Sequence, residues 1–142
     1  MTIRSAAVAL AVLAVAAVFL VPYENPSGDA LEHAILIRDR DTARLHPNHL
    51  LVEPTERAIH LAVSRIVDVE PLRTLLWVSR IAFVAWALLL LRIGSLLFGG
   101  VWLPFAIAAG CTCSYACVVF GTDAEPILLA HLPMLAGGAL HL

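Results

Sequence analysis

The sequence predicts an all-α membrane protein, with about four transmembrane helices around one large polar loop. Three observations carry that prediction. Apolar runs recur at the length of a membrane span, over residues 5–21, 74–91, 101–120 and 127–142. The 142 residues are 61% hydrophobic and only 14% charged, with a mean hydropathy of +0.88, whereas a soluble domain has about 45–50% apolar and about 25% charged residues. Nine of the eleven acids fall between Tyr23 and Leu72, inside the loop 22–73, and the other two are Asp123 and Glu125.

A bilayer core about 30 Å thick is crossed by about 20 apolar residues rising 1.5 Å each. The first run follows Arg4 and stops at Pro22-Tyr23. A basic start before an apolar stretch is also the layout of a cleavable signal peptide, but the run is long for one and more runs follow, so an uncleaved span is preferred. The second run, 74–91, contains Arg80, and the stretch with Arg92, Gly94, Ser95, Gly99 and Gly100 reads as a turn. The third tolerates Pro104 near its start, where a missing N–H matters least. Gly121 to Pro126 reads as a polar break, and the fourth run is still apolar at Leu142. The expectation is therefore the front part of a longer polytopic protein.

Within the loop, residues 29–44 read as a helix, with Leu31, Ala34, Ile35 and Ile37 apolar and a densely charged end. His46-Pro47-Asn48-His49 breaks it. Residues 55–69 read as an amphipathic helix, with Ile59, Ala62, Val63, Ile66 and Val69 on one stripe and Arg57, His60, Ser64 and Asp68 opposite. Beside a bilayer such a helix lies in the interface plane. Arg4 places the N-terminus inside, whereas the six loop arginines argue the reverse, so the positive-inside rule leaves orientation open. Cys111, Cys113 and Cys117 scatter around a helix, unlike zinc ligands, and read as buried apolar filler. His131 and His141 read as helix-packing residues. A loop with nine acids against six arginines gives no basic patch, which argues against nucleic-acid binding.

The acids carry the functional signal. Asp29 and Glu32 follow the first span, and Asp123 and Glu125 follow the third, so alternation of spans brings both pairs to one face of the membrane. Carboxylates beside the hydrocarbon are costly unless paired or functional. The bland alternatives are specific: Asp29 with Glu32 resembles a capping box, and Asp123 and Glu125 are placed to cap a helix starting near Pro126. Arg80 is expensive within a span, and its bland alternative is snorkelling or pairing with a loop acid. His46 and His49 could join Asp29 around a divalent metal, but Pro47 suggests a turn, so no metal ligand is assigned and the preferred reading is loop histidines shaping a cleft.

A first span, then Ser27-Gly28-Asp29-x-x-Glu32, then His46-Pro47-Asn48-His49-Leu50-Leu51 and an amphipathic helix resembles the start of a GT-C membrane glycosyltransferase of the protein O-mannosyltransferase kind. The resemblance covers nearly the whole chain but only about the first third of such an enzyme. It implies an extracytoplasmic first loop, a multi-pass protein of the inner or plasma membrane, and a polyprenyl-phosphate-linked sugar as donor. It further implies Asp29 as the catalytic carboxylate with Glu32 its neighbour, and Asp123 or Glu125 lining the substrate site. Arg80, a costly cation within a span, and His49 of the loop are the other candidates for substrate and phosphate binding. The two residues between Asp29 and Glu32 depart from the adjacent acid pair of that family. Developing phosphate charge needs a cation, a divalent metal or a guanidinium. Two rival readings stand beside this one. One is a small non-enzymatic multi-pass protein or subunit. The other is part of a transporter, with Arg80 and Asp123 lining a polar pathway. It is disfavoured because the runs show no broken central helix and because a large amphipathic loop after the first span suits it poorly.

Overall fold

The computed structural model describes residues 1–20, 27–39, 52–123 and 127–141. Among these residues the chain is all-helical, with seven helices and no strand. In chain order they are α1 (Ile3–Leu20), α2 (Gly28–Asp39), α3 (Val52–Val63), α4 (Pro71–Phe98), α5 (Trp102–Thr112), α6 (Tyr115–Thr122) and α7 (Ile127–His141). Two of them, α1 and α4, are long and apolar enough to cross a membrane. A third crossing is added if α5 and α6, bent by 63° at their break, are taken as one.

Helix α1 starts where Thr2 and Ser5 cap one another. Ser5 N–H donates to Thr2 Oγ1 at 3.2 Å, and Thr2 N–H donates to Ser5 Oγ at 2.9 Å, which satisfies amides that a helix start leaves open. Ala6, Leu10, Ala14 and Val18 recur every four residues and are fully buried. The same helix leaves Val8, Val12, Phe19 and Leu20 exposed. A helix apolar all round, buried on one ridge only, belongs against another helix on one side and lipid on the other.

That ridge packs on α4 around Phe83, Ala82, Ala87 and Leu91, with Ala108 of α5 closing the cluster. Helix α4 is 28 residues long. Pro71 stands at its first turn, where a missing N–H costs nothing, and Gly99 ends it with φ +64°, a left-handed cap that glycine takes without strain. The turn expected from Arg92 is thus moved to Gly99. Ser95 stays helical by donating its hydroxyl to Leu91 O at 2.7 Å, and Gly94 is helical because its bare Cα admits Pro104, whose Cβ would lie 3.0 Å from an added methyl.

The third run is not one helix. Thr112 Oγ1 donates to Ala108 O at 2.7 Å, Ser114 Oγ donates to Cys111 O at 2.8 Å, and Ser114 Oγ in turn accepts from Cys117 N–H at 3.4 Å. Ser114 thus serves both sides of the break, capping the start of α6 and returning its hydroxyl to the end of α5, which helps to permit a break among apolar neighbours. The transporter reading was disfavoured for want of such a broken helix, and that ground falls. Cys113 is exposed and Cys111 and Cys117 are half-buried, so the cysteines are not uniform buried filler. His131 and His141 of α7 are both exposed and do not pack between helices.

The loop helices also differ from expectation. Helix α2 ends at Asp39, and residues 40–44 and the His46–His49 break lie outside the described residues. Helix α3 ends at Val63, so Ile66 and Val69 do not extend its stripe. Its inward face is polar: Glu56 is buried and His60 half-buried, while Leu61 and Ala62 face out. Polar partners on α2 and α4 draw that face inward and override the apolar stripe.

Gly121 of α6 is where α1, α4 and α6 come closest. A Cβ there would lie 2.6 Å from Phe83 Cδ2 and 3.0 Å from Val18 Cγ1. Gly121→Ala is expected to destabilise the protein by about 1–3 kcal/mol through overpacking, read as lowered thermal stability in detergent. Adding Phe83→Leu should recover part of that loss.

Candidate functional site

The polar residues gather at the end of the bundle where α1 stops, α2 and α4 begin and α6 ends. Helix α2 is capped by Ser27, whose Oγ accepts from Ala30 N–H at 3.1 Å. This corrects the capping box read from Asp29 and Glu32. The cap belongs two residues earlier, Asp29 is the second residue of α2, and Glu32 is exposed on it. The Asp29 side chain lies outside the described residues, as do His46, His49 and Glu125.

Asp123 follows the last residue of α6, and its Oδ1 accepts from Ser27 N–H at 3.3 Å. The acid after the third apolar run thus meets the start of the helix that carries Asp29, across 96 residues of sequence. An acceptor on the amide of a helix cap also lies where the helix dipole favours negative charge. Asp123 therefore bridges to α2; residues 124–126, where it was expected to cap the next helix, lie outside the described residues.

Arg80 lies on α4, nine residues after Pro71. Its guanidinium carbon stands 4.8 Å from the centre of the Phe19 ring and 5.8 Å from that of Trp77, and the two rings are 5.4 Å apart. Both distances suit a cation on an aromatic face. Its Nε is buried and has no hydrogen-bond partner among the described residues. The side chain is therefore held by rings, and among the described residues its Nε–H is an unused donor.

Sequence reasoning missed two residues. His33 Nδ1 and Glu56 Oε2 meet at 3.1 Å between α2 and α3, with both side chains buried. His33 follows Asp29 by one turn of α2, and Ala30 and Ile37 of the same helix are buried with Leu75 of α4. In the sequence a glutamate sits four residues before His60, which puts the two on one face of α3 but does not point to His33. His60 Nδ1 meets Thr74 Oγ1 of α4 at 3.0 Å, so α3 is tied to both neighbours by polar contacts. Farther along α2, Arg38 Nε donates to Asp39 Oδ1 at 2.8 Å. That bond holds the Asp39 carboxyl below its ordinary value. The pair is solvent-exposed and screened, so its small contribution, present at neutral pH, fades as pH falls through the lowered carboxyl value.

Among the described residues no three His, Cys, Asp or Glu side chains form a metal-binding group. The residues and the fold together define a helical protein with apolar, membrane-length helices and a polar cluster at one end. Compared with known proteins, the chain matches no family model, no curated protein and no solved structure.

The buried His33–Glu56 pair generates a direct test. Glu56→Ala withdraws the acceptor facing His33 and opens a gap, with an expected loss of about 1–3 kcal/mol. A double-mutant cycle with His33→Ala, followed by thermal unfolding in detergent, should return a coupling of about 0.5–3 kcal/mol.

Proposed function

We propose that this chain is the N-terminal portion of a multi-pass glycosyltransferase of about four spans in the inner or plasma membrane. It moves a sugar from a polyprenyl-phosphate donor to an extracytoplasmic acceptor. The observation that supports this reading is the Ser27–Asp123 contact, which joins the Gly-Asp segment after α1 to the acid after α6. The resemblance to the GT-C enzymes asks for that juxtaposition. Asp29 takes the proton of the acceptor hydroxyl as its oxygen forms a bond to the anomeric carbon. The bond from that carbon to the phosphate oxygen breaks with inversion, and polyprenyl phosphate leaves with the electron pair. One general base is enough, because a phosphate leaving group needs little protonation. Arg80, with a free Nε–H donor beside two aromatic rings, stabilises the developing phosphate charge. Glu32, His49, Asp123 and Glu125 complete the proposed substrate surroundings.

The break between α5 and α6 favours a second reading, a solute pathway lined by polar groups at the broken helix. This portion alone is expected to be inactive, so proteoliposomes carrying the full-length protein and polyprenyl-phosphate-linked sugars decide between them. Sugar transfer that falls by about 10²–10⁴ in Asp29→Asn supports the transferase, and Arg80→Leu should then raise KM for the donor. Solute uptake without transfer supports the pathway. Neither activity, with a stable protein partner retained on purification, supports a small non-enzymatic subunit.

A further inference from the structure

The stretch between α3 and α4 exposes apolar side chains that have no reason to face water. Ile66 is 85% exposed, Val67 58% and Leu61 43%, with Ala58 and Ala62 on the same outer face of α3 as Leu61. Their depth relative to a bilayer can be reckoned from α4. Its 28 residues make about 42 Å of helix, longer than the roughly 30 Å hydrocarbon core. Arg80 leans toward Phe19 and Trp77, at the end where α4 begins, and Arg92 is exposed nearer the other end. Cations within a span reach outward to opposite surfaces, which centres the core near Trp86, midway between them. Half the core is roughly 15 Å, or about ten residues, so the boundary falls near Leu76. Trp77, 52% exposed, stands at that boundary, where indoles concentrate.

The His60–Thr74 hydrogen bond then fixes the depth of α3. Thr74 lies two residues on the headgroup side of Leu76, and His60 meets it at 3.0 Å. Leu61 is next in sequence to His60, and Ile66 and Val67 lie between that anchor and Pro71. All three are thus tethered on both sides at headgroup depth. We propose that the end of α3 and the turn after it dip into the leaflet that α4 enters, so that the partner of Leu61, Ile66 and Val67 is the bilayer. Helix α3 lies with its polar face, Glu56 and His60, on the protein and its apolar face in the acyl boundary. The surrounding charges nearly balance, Arg57, Arg65 and Arg73 against Asp68 and Glu70, so apolar insertion drives the association and headgroup charge matters little. The proposal stands apart from the transferase reading and concerns only α3, α4 and lipid.

The test uses the full chain with Cys111, Cys113 and Cys117 replaced by serine, in proteoliposomes of neutral lipid. An environment-sensitive fluorophore is placed at Ile66→Cys, at Val67→Cys in a second protein, and at the exposed Glu32→Cys as aqueous reference. At positions 66 and 67 the expected result is blue-shifted emission, quenching by lipids with a nitroxide high on the acyl chain, and loss of the iodide quenching seen at position 32. Adding anionic lipid, to which basic surfaces respond, should leave the signal unchanged. Iodide quenching equal to that at position 32 would overturn the proposal, because the turn would then face water. Protection from both quenchers would also overturn it, because a second copy or another protein would then cover the surface. Two label sites keep the result readable should one substitution fail to fold.

Discussion

Close packing of helices on α4 is the constraint from which the rest of the architecture follows. Helix α4 touches each of the six other described helices, and its buried residues Ala82, Phe83, Ala87 and Leu91 form the middle of the main apolar cluster. Between helices that are apolar on every side, burial of apolar surface does not select one pairing over another, and fit does. Fit here comes from small residues: Ala6 and Ala14 on α1, Ala108 on α5, Gly94 opposite Pro104, and Gly121 against Phe83 and Val18. Each allows a backbone to approach where a larger side chain would hold it away.

With those helices in place, the polar cluster is a matter of position. The ends of α1 and α6 and the starts of α2 and α4 meet at one end of the bundle, and Asp123 reaches the Ser27 amide there. The loop helices are then held by polar contacts, the buried His33 with Glu56 and the half-buried His60 with Thr74, and by a small apolar patch of Ala30, Ile37 and Leu75. Buried polar contacts are costly to leave unmade, so they orient α2 and α3 more sharply than the apolar residues of those helices could. This explains why α3 turns its glutamate and histidine inward and leaves leucine outside.

Arg80 shows how a costly residue is accommodated. A guanidinium among apolar helices needs either an acid or a polarisable surface, and Phe19 and Trp77 provide the second. Stacking leaves the buried Nε–H of the guanidinium available in a way that an ion pair through it would not. The proposed role in holding a phosphate draws on that difference.

The helical class, the positions of α1 and α7 within a few residues, the start of α4, and the separation of charge from apolar runs were legible in the sequence, because hydropathy and helix length are local properties. The exceptional arginine and the acids at the connections were legible for the same reason, since charge beside a long apolar run stands out without any knowledge of its neighbours. The tertiary structure alone decided what those residues meet. No pattern announced that Ser27 would cap α2 and also bind Asp123, that serine and threonine hydroxyls would stabilise a break at Cys113–Ser114, or that Gly94 would remain helical while Gly99 turned. Nor could periodicity orient α3, since a stripe identifies an apolar face but not whether protein or lipid covers it. Contacts between residues 96 apart depend on how helices fit, and fit is a property of surfaces brought together, not of any one segment.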